Sequence, residues 1–130
     1  MTGLDTNILV RLFAKDDLDQ GNRVATFMRS LTPESPGYVS LVSLIEMVWV
    51  LHSQYRSSKA QLIQCLEHLL DLPELMIEDH AAVTSALSRF SKFNADFADC
   101  LIERLGNAAG CKETVTFDVN ASKFAGMRLL

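Results

Sequence analysis

Short apolar segments alternate with longer segments of helical periodicity, and this alternation constrains the fold more than any other feature of the sequence. Four segments have the length and composition of strands: residues 2–4, 37–40, 75–77 and 114–117. The last segment is the clearest strand, because it is β-branched and aromatic throughout. Strands separated by helices predict an α/β fold, a three-layer α/β/α sandwich with a mostly parallel central sheet.

Helical periodicity fills the intervals between these strands. Apolar residues recur at helical spacing soon after the first strand, from Ile8 to Phe13. Further helices are predicted at residues 17–31, 43–55, 58–72 and 81–93, and the helix at residues 43–55 is expected to be largely buried. Another helix begins near Asn94 and continues until Gly106 and Gly110 break the pattern. The final segment, residues 120–130, is interpreted as a short helix and an edge strand.

Length and composition predict one domain over residues 1–130. The chain has 130 residues, of which 48% are hydrophobic and 22% charged, so it is long enough for one domain with a hydrophobic core but too short for two. The formal net charge is −4, so the overall balance gives no sign of nucleic-acid binding. A nucleic-acid partner would therefore be held by a local basic patch or by metal ions.

The cysteines and the apolar segments favour a cytoplasmic protein. Cys65, Cys100 and Cys111 include no C-x-x-C pair, which is typical of reduced thiols. The chain begins without a basic and apolar leader, and its longest apolar stretch is too short to span a membrane. The histidines lie far apart, which argues against a zinc site. We therefore expect no contact with a membrane.

Several acidic residues occupy places where a structural role explains them poorly. In the helix predicted from residue 94, Asp96, Asp99 and Glu103 share one face, where like charges repel. Carboxylates in a first helical turn are also favoured by the helix dipole, so both interpretations stay open for Asp96 and Asp99. Glu46 lies in an apolar helix with no base in reach, and burying an unpaired carboxylate costs on the order of several kcal/mol.

Asp5 and Asp118 each follow a strand directly. Either could cap the next helix, which is the structural alternative to function. Parallel strands end at one edge of a sheet, where ligands collect, and the helices that carry Glu46 and Asp99 begin at the same edge. Asp5, Glu46, Asp99 and Asp118 are therefore expected to converge.

Clustered carboxylates of this kind suit Mg²⁺ or Mn²⁺, since no thiol or imidazole accompanies them. Such ions activate a water molecule and neutralise a phosphodiester, so hydrolysis of a phosphodiester bond is the predicted chemistry. Basic side chains are candidates for contacts with the phosphate backbone. They are Arg11, Lys15, Lys92, Arg104 and Lys112.

The acids belong to four motifs: Leu4-Asp5-Thr6-Asn7, Leu44-Ile45-Glu46, Asp96-Phe97-Ala98-Asp99 and Thr116-Phe117-Asp118. Their order and spacing resemble the PIN domain, specifically the VapC-type toxins of toxin–antitoxin pairs. The resemblance covers the whole chain and implies a PIN-like fold. It also implies a Mg²⁺- or Mn²⁺-dependent endoribonuclease that cuts RNA with metal-activated water. Such a toxin is usually a homodimer and is inhibited by a small VapB-like antitoxin protein.

The resemblance further implies roles for single residues. The catalytic, metal-binding acids would be Asp5, Glu46, Asp99 and Asp118, and Asp96 matches an additional metal-binding acid. The supporting hydrogen-bonding residues would be Thr6, Asn7 and Thr116. Asn120 falls where some relatives carry another acid, so it would be a neutral ligand. Glu103 and Arg104 depart from the small apolar residues that often follow the third acid.

Other proteins with acids at strand ends match less well. A phosphate-receiving regulatory domain needs an acidic pair after the first strand and a lysine after the last. An aspartyl phosphatase needs a second acid where Asn7 stands. The remaining alternative is a PIN-fold binding or regulatory protein without cleavage activity.

Overall fold

Strands that are distant in sequence pair in parallel, as the alternating pattern predicts. A computed structural model describes residues 1–130 and contains seven helices and five short strands. Contacts divide the chain into two compact units, Met1–Glu78 and Asp79–Leu130. The mixed α/β class with parallel strands is confirmed.

The first unit contains a three-stranded parallel sheet in which β2 lies between β1 and β3. The strands are β1 (Thr2–Gly3), β2 (Gly37–Val39) and β3 (Leu75–Ile77). Its helices are α1 (Thr6–Phe13), α2 (Leu18–Ser30), α3 (Leu41–Ser53) and α4 (Lys59–Asp71). Tyr38 pairs with Gly3 on one side and with Met76 on the other.

The core of the first unit is apolar side chains from the sheet and from three of the helices. Its fully buried members are Leu9, Val39, Leu44, Met47, Leu51, Leu66 and Leu69. Each such side chain contributes about 1.5–3 kcal/mol when it leaves water. Gly37 makes this packing possible, because a Cβ there would lie 3.0–3.1 Å from side-chain atoms of Leu31, Leu75 and Leu4.

The second unit is built on the packing of α5 (His80–Lys92) against α6 (Phe97–Ala108). The rings of Phe90 and Phe97 meet edge to face with centroids 5.8 Å apart. The remaining elements are β4 (Val115–Thr116), α7 (Val119–Phe124) and β5 (Arg128–Leu129). β4 and β5 pair in parallel, which places an edge strand in the final segment as predicted.

Every helix begins at a polar residue whose side chain accepts a hydrogen bond from a backbone N–H of the first turn. These N-caps are Asp5, Asp17, Ser40, Ser58, Asp79, Asp96 and Asp118. Each cap contributes about 1 kcal/mol by satisfying a helix donor. Three of the seven are candidate metal ligands, so the chemistry that starts these helices also orients the acids.

Two sequence predictions are wrong in detail. α3 begins at Leu41 rather than residue 43, and it is not largely buried: Val42 is 70% and Trp49 62% exposed. The strand predicted at residues 114–117 shrinks to Val115–Thr116, because β5 pairs with only two residues. Phe117 is 81% exposed instead of lying in a sheet. None of the helices has the length and hydrophobicity needed to span a bilayer.

Candidate metal centre

In the first unit, Thr6 connects two of the predicted acids. Its backbone N–H donates to Asp5 Oδ1 over 2.8 Å, and its hydroxyl donates to Glu46 Oε2 over 2.7 Å. Thr6 itself is 8% exposed, whereas both carboxylates are exposed. A buried threonine thus holds two exposed acids near the start of α1.

Glu46 is exposed, so its carboxylate meets water and not an apolar interior. It shares the exposed side of α3 with Val42 and Trp49, four residues before it and three after it. The sequence conceals this orientation because α3 is apolar on nearly every side, so hydrophobicity does not mark the buried face. The cost of desolvation therefore gives no reason to expect a cation beside Glu46. A metal-binding role for Glu46 depends only on its charge and its position.

Glu78 is an acid that the sequence analysis did not single out. Its Oε2 accepts a hydrogen bond of 2.8 Å from the backbone N–H of Leu41, at the start of α3. Glu78 directly follows β3, just as Asp118 closely follows β4. The rule that selected acids after strands would have found it. The contact shows a helix-capping role for Glu78.

Asn7 stands apart from the Asp5–Thr6–Glu46 connection. It is exposed, and no hydrogen bond joins its side chain to either acid. It borders a cavity of about 340 Å³ between α1 and α2, with Ile8, Arg11, Gln20, Arg23, Val24 and Phe27. Its predicted supporting role remains a prediction.

In the second unit, Asp96, Asp99 and Asp118 form an acidic group. Asp96 caps α6, Asp99 lies in the first turn of α6, and Asp118 caps α7. Burial raises the pKa of the Asp99 carboxyl, and the negative charges of Asp96 and Asp118 raise it further. None of the three belongs to an ion pair. A bound cation would relieve this repulsion.

Thr116 and Asn120 order the backbone around the acidic group. The Thr116 hydroxyl accepts a hydrogen bond of 3.0 Å from the Asp118 N–H. Asn120 Nδ2 donates to the carbonyl of Asn94 over 3.0 Å, which ties the start of α7 to the turn before α6. The amide nitrogen of Asn120 is therefore used structurally, and its Oδ1 is the atom available to a ligand.

The carboxylate oxygens of these acids are the ligand atoms that a hard divalent cation prefers. The caps Asp5, Asp96 and Asp118 each accept their backbone hydrogen bond through Oδ1, which leaves Oδ2 for another partner. Oxygen donors without thiol or imidazole suit Mg²⁺ and Mn²⁺. No group of three or more histidine, cysteine, aspartate or glutamate side chains is arranged to hold a metal ion. Metal binding by these acids therefore remains a prediction.

The acids all lie inside a family match. The family model of the PIN domain matches residues 4–127. The chain belongs to the PIN domain family. PIN domains have a nuclease-type fold and typically use divalent metal ions. A comparison with curated proteins finds no match.

Two basic residues considered for phosphate contacts in this PIN domain already have acidic partners. Arg11 pairs with Asp16 and donates to the Tyr55 hydroxyl over 2.8 Å. Arg104 donates to both carboxylate oxygens of Glu103 over 2.5 and 2.8 Å. Glu103 therefore neither faces solvent freely nor joins the acidic group. The other candidates are exposed: Lys15, Lys92 and Lys112.

Proposed function

We propose that this PIN domain is a metal-dependent endoribonuclease, the toxin of a toxin–antitoxin pair, which hydrolyses RNA phosphodiester bonds. The observation that carries the proposal is the acidic group of the second unit, where burial and then the charges of Asp96 and Asp118 raise the pKa of Asp99. Asp96 and Asp118 cap helices through one oxygen each, but capping does not explain why Asp99 stands beside them, and none of the three is paired with a base. Unpaired carboxylates with a raised pKa are common at functional sites.

We further propose a single domain over residues 1–130 whose acids bind a divalent metal ion. Asp5, Glu46, Asp99 and Asp118 would hold Mg²⁺, which Mn²⁺ could replace. Asp96 would add a ligand. The ion would supply an activated water and would neutralise charge at the scissile phosphate.

The residues around these acids would keep the carboxylates in place. Thr6 donates its hydroxyl hydrogen to Glu46, and Thr116 fixes the backbone of Asp118. Asp99 would retain a proton to higher pH than an ordinary carboxyl. Binding of a cation would then release that proton, because a carboxylate binds metal in its charged form.

We also propose a cytoplasmic protein that forms a homodimer and is inhibited by a small VapB-like antitoxin protein. Val42 and Trp49, on either side of Glu46 on α3, support a partner surface, because neighbouring large apolar side chains at a protein surface mark interaction sites. Purification together with the product of a neighbouring reading frame tests the antitoxin. A monomer in gel filtration, with no such reading frame, would count against both partners.

One experiment tests the nuclease itself. Purified protein and Asp99→Asn are incubated with total RNA, with Mg²⁺ or with a chelator. Cleavage by the wild type with Mg²⁺ alone supports the proposal. Cleavage that survives the chelator would exclude the metal mechanism, and equal cleavage by Asp99→Asn would indicate a contaminating ribonuclease. A folded wild type that cuts nothing would favour a binding or regulatory protein with the PIN fold.

A further inference from the structure

A groove of about 690 Å³ on the second unit is lined by basic and hydroxyl side chains. α5 contributes Arg89 and Lys92, and α6 contributes Arg104. Between them lie the hydroxyls of Thr84, Ser85 and Ser88. No aspartate or glutamate lines this basic groove. Cations and hydroxyl donors in one groove are the groups that bind phosphate oxygens.

The helix that lines most of the basic groove contains no acidic residue. Residues 80–95 contain no aspartate or glutamate, although the chain has 16 acidic residues among 130. α5 is therefore a positive helix in a protein whose net charge is −4. This is the kind of local basic patch that an acidic protein needs for a polyanionic partner.

Contacts hold the two arginines of the basic groove in place. Arg89 Nε donates to the Phe124 carbonyl over 2.9 Å, and its Cζ lies 4.9 Å from the centroid of the Phe93 ring. Glu103 neutralises Arg104. Lys92 is exposed and forms no ion pair, so the three cations exceed the one acid.

The helix dipole alone does not explain this arrangement. Basic residues in a last helical turn are favoured, and Arg89 and Lys92 occupy the last turn of α5. That effect accounts neither for the hydroxyls earlier in α5 nor for the cation contributed by α6. Arg89 lies over one face of the Phe93 ring, yet the ring is still 44% exposed at the same end of the groove, where an unpaired base can stack on it.

The basic groove ends close to the acidic group. Lys92 and Asp96 are four residues apart, so their Cα atoms are separated by at most about 14 Å. The hydrogen bond from Asn120 to Asn94 holds this connection against the start of α7, beside Asp118. A strand that leaves the groove at Lys92 therefore reaches Asp96 within a few nucleotides.

We propose that the basic groove binds the phosphate backbone of single-stranded RNA and leads it to the acidic group. This inference depends on the proposed function for the identity of the polyanion. The ligand is a single strand, because an exposed aromatic ring beside cations binds unpaired bases. In an RNA duplex the bases are paired and stacked, so they cannot stack on a protein side chain. Lys92 supplies a direct phosphate contact.

The test measures binding without cleavage. Anisotropy of a labelled single-stranded RNA of about 12 nucleotides is recorded in chelator over a range of salt concentrations. Lys92→Gln removes one phosphate contact and should lower the slope of log K against log salt by about 0.7, which is about fivefold in affinity at 0.1 M salt. Ser88→Glu should weaken binding more, because it places an acid among the phosphates. Arg29→Gln is the control, since Arg29 is an exposed cation on α2 that does not line the basic groove.

The outcomes separate the groove from the nuclease. Circular dichroism first confirms that each variant is folded. If Lys92→Gln leaves the slope unchanged, or if Arg29→Gln changes it equally, the groove does not bind the RNA backbone. Tighter binding of an acidic peptide than of RNA would also overturn it and indicate a protein partner. If Lys92→Gln and Ser88→Glu weaken RNA binding in a protein that cuts no RNA with Mg²⁺, the groove is supported and the nuclease proposal fails.

Discussion

The Thr6 hydroxyl allows a measurement of how firmly the fold holds Glu46. Thr6→Val keeps the side-chain shape and the N–H that donates to Asp5, and it removes only the donor to Glu46 Oε2. A hydrogen bond to a charged group contributes about 1.5–3 kcal/mol, but water replaces the lost donor because Glu46 is exposed. We therefore expect the free energy of unfolding to fall by about 1 kcal/mol, which lowers the midpoint by about 3–5 °C in a chain of 130 residues.

A double-mutant cycle isolates this hydrogen bond from other effects of the valine. Thermal unfolding in chelator is measured for wild type, Thr6→Val, Glu46→Ala and the double variant. The coupling energy should be about 1 kcal/mol, close to the whole effect of Thr6→Val. Thr26→Val is the matched control, because Thr26 is exposed on α2 and its hydroxyl only accepts a bond of 3.2 Å from Arg29. Its effect should stay within about 0.5 kcal/mol.

The cycle can also show that the Thr6 hydroxyl does not hold Glu46. If the effects of Thr6→Val and Glu46→Ala add within about 0.3 kcal/mol, the hydroxyl does not hold Glu46. Cleavage assays with Mg²⁺ supply an independent measurement. Thr6→Val should slow cleavage at a temperature where the variant is fully folded, since Glu46 is then free to change rotamer. Unchanged cleavage would remove Thr6 from the proposed site.

Three further predictions follow from the caps, the charges and the backbone. Asp118→Ala should lower stability by about 1 kcal/mol and Asp118→Asn should hardly change it, while both variants should abolish cleavage. Melting curves and RNA cleavage assays measure the two effects. An active Asp118→Asn would show that Asp118 is a helix cap and not a metal ligand. The raised pKa of Asp99 means that the folded protein holds this proton more tightly than the unfolded chain, so stability falls as pH rises through that pKa. Asp99→Asn removes this loss, so melting in chelator should show the variant gaining stability relative to the wild type from acid to neutral pH. A difference that is independent of pH would contradict the raised pKa of Asp99. Gly126→Ala should lower stability by about 1–2 kcal/mol, because φ there is +84°. Gly21 lies inside α2 with open space around it, so Gly21→Ala should raise stability by up to about 1 kcal/mol through the higher helix propensity of alanine. Denaturant titration measures the stability of both glycine variants.

The sequence predicts the elements well where periodicity and capping agree. The helices after Asp5, Asp17 and Ser58 begin within a residue or two of the predicted positions, because polar N-caps and apolar spacing mark the same place. α3 shows the limit of this reasoning: with apolar residues on most sides, its pattern gives no orientation, and the exposure of Trp49 comes only from tertiary packing. β4 is shorter than its β-branched composition suggests, because strand length is set by the partner strand.

For the candidate site, the sequence indicates where acids stand but not what they contact. Asp96 and Asp118 are found by local rules, since both stand where a helix begins. The bond from Thr6 to Glu46 joins residues 40 positions apart, and no local pattern contains it. The pair of Glu103 and Arg104 is adjacent in sequence, yet only the side-chain conformations show that Arg104 removes Glu103 from the acidic group.

The double use of aspartate as helix cap and candidate ligand affects how this protein can evolve. Asp5, Asp96 and Asp118 cap their helices through one oxygen, and asparagine caps a helix about as well as aspartate does. The codons of the two residues differ by one base. A lineage can therefore lose the negative charge in a single step while the scaffold stays folded, and the reverse step restores it. Descendants of such a chain with asparagine at these positions should persist as folded proteins, free to acquire a binding role before any new chemistry appears.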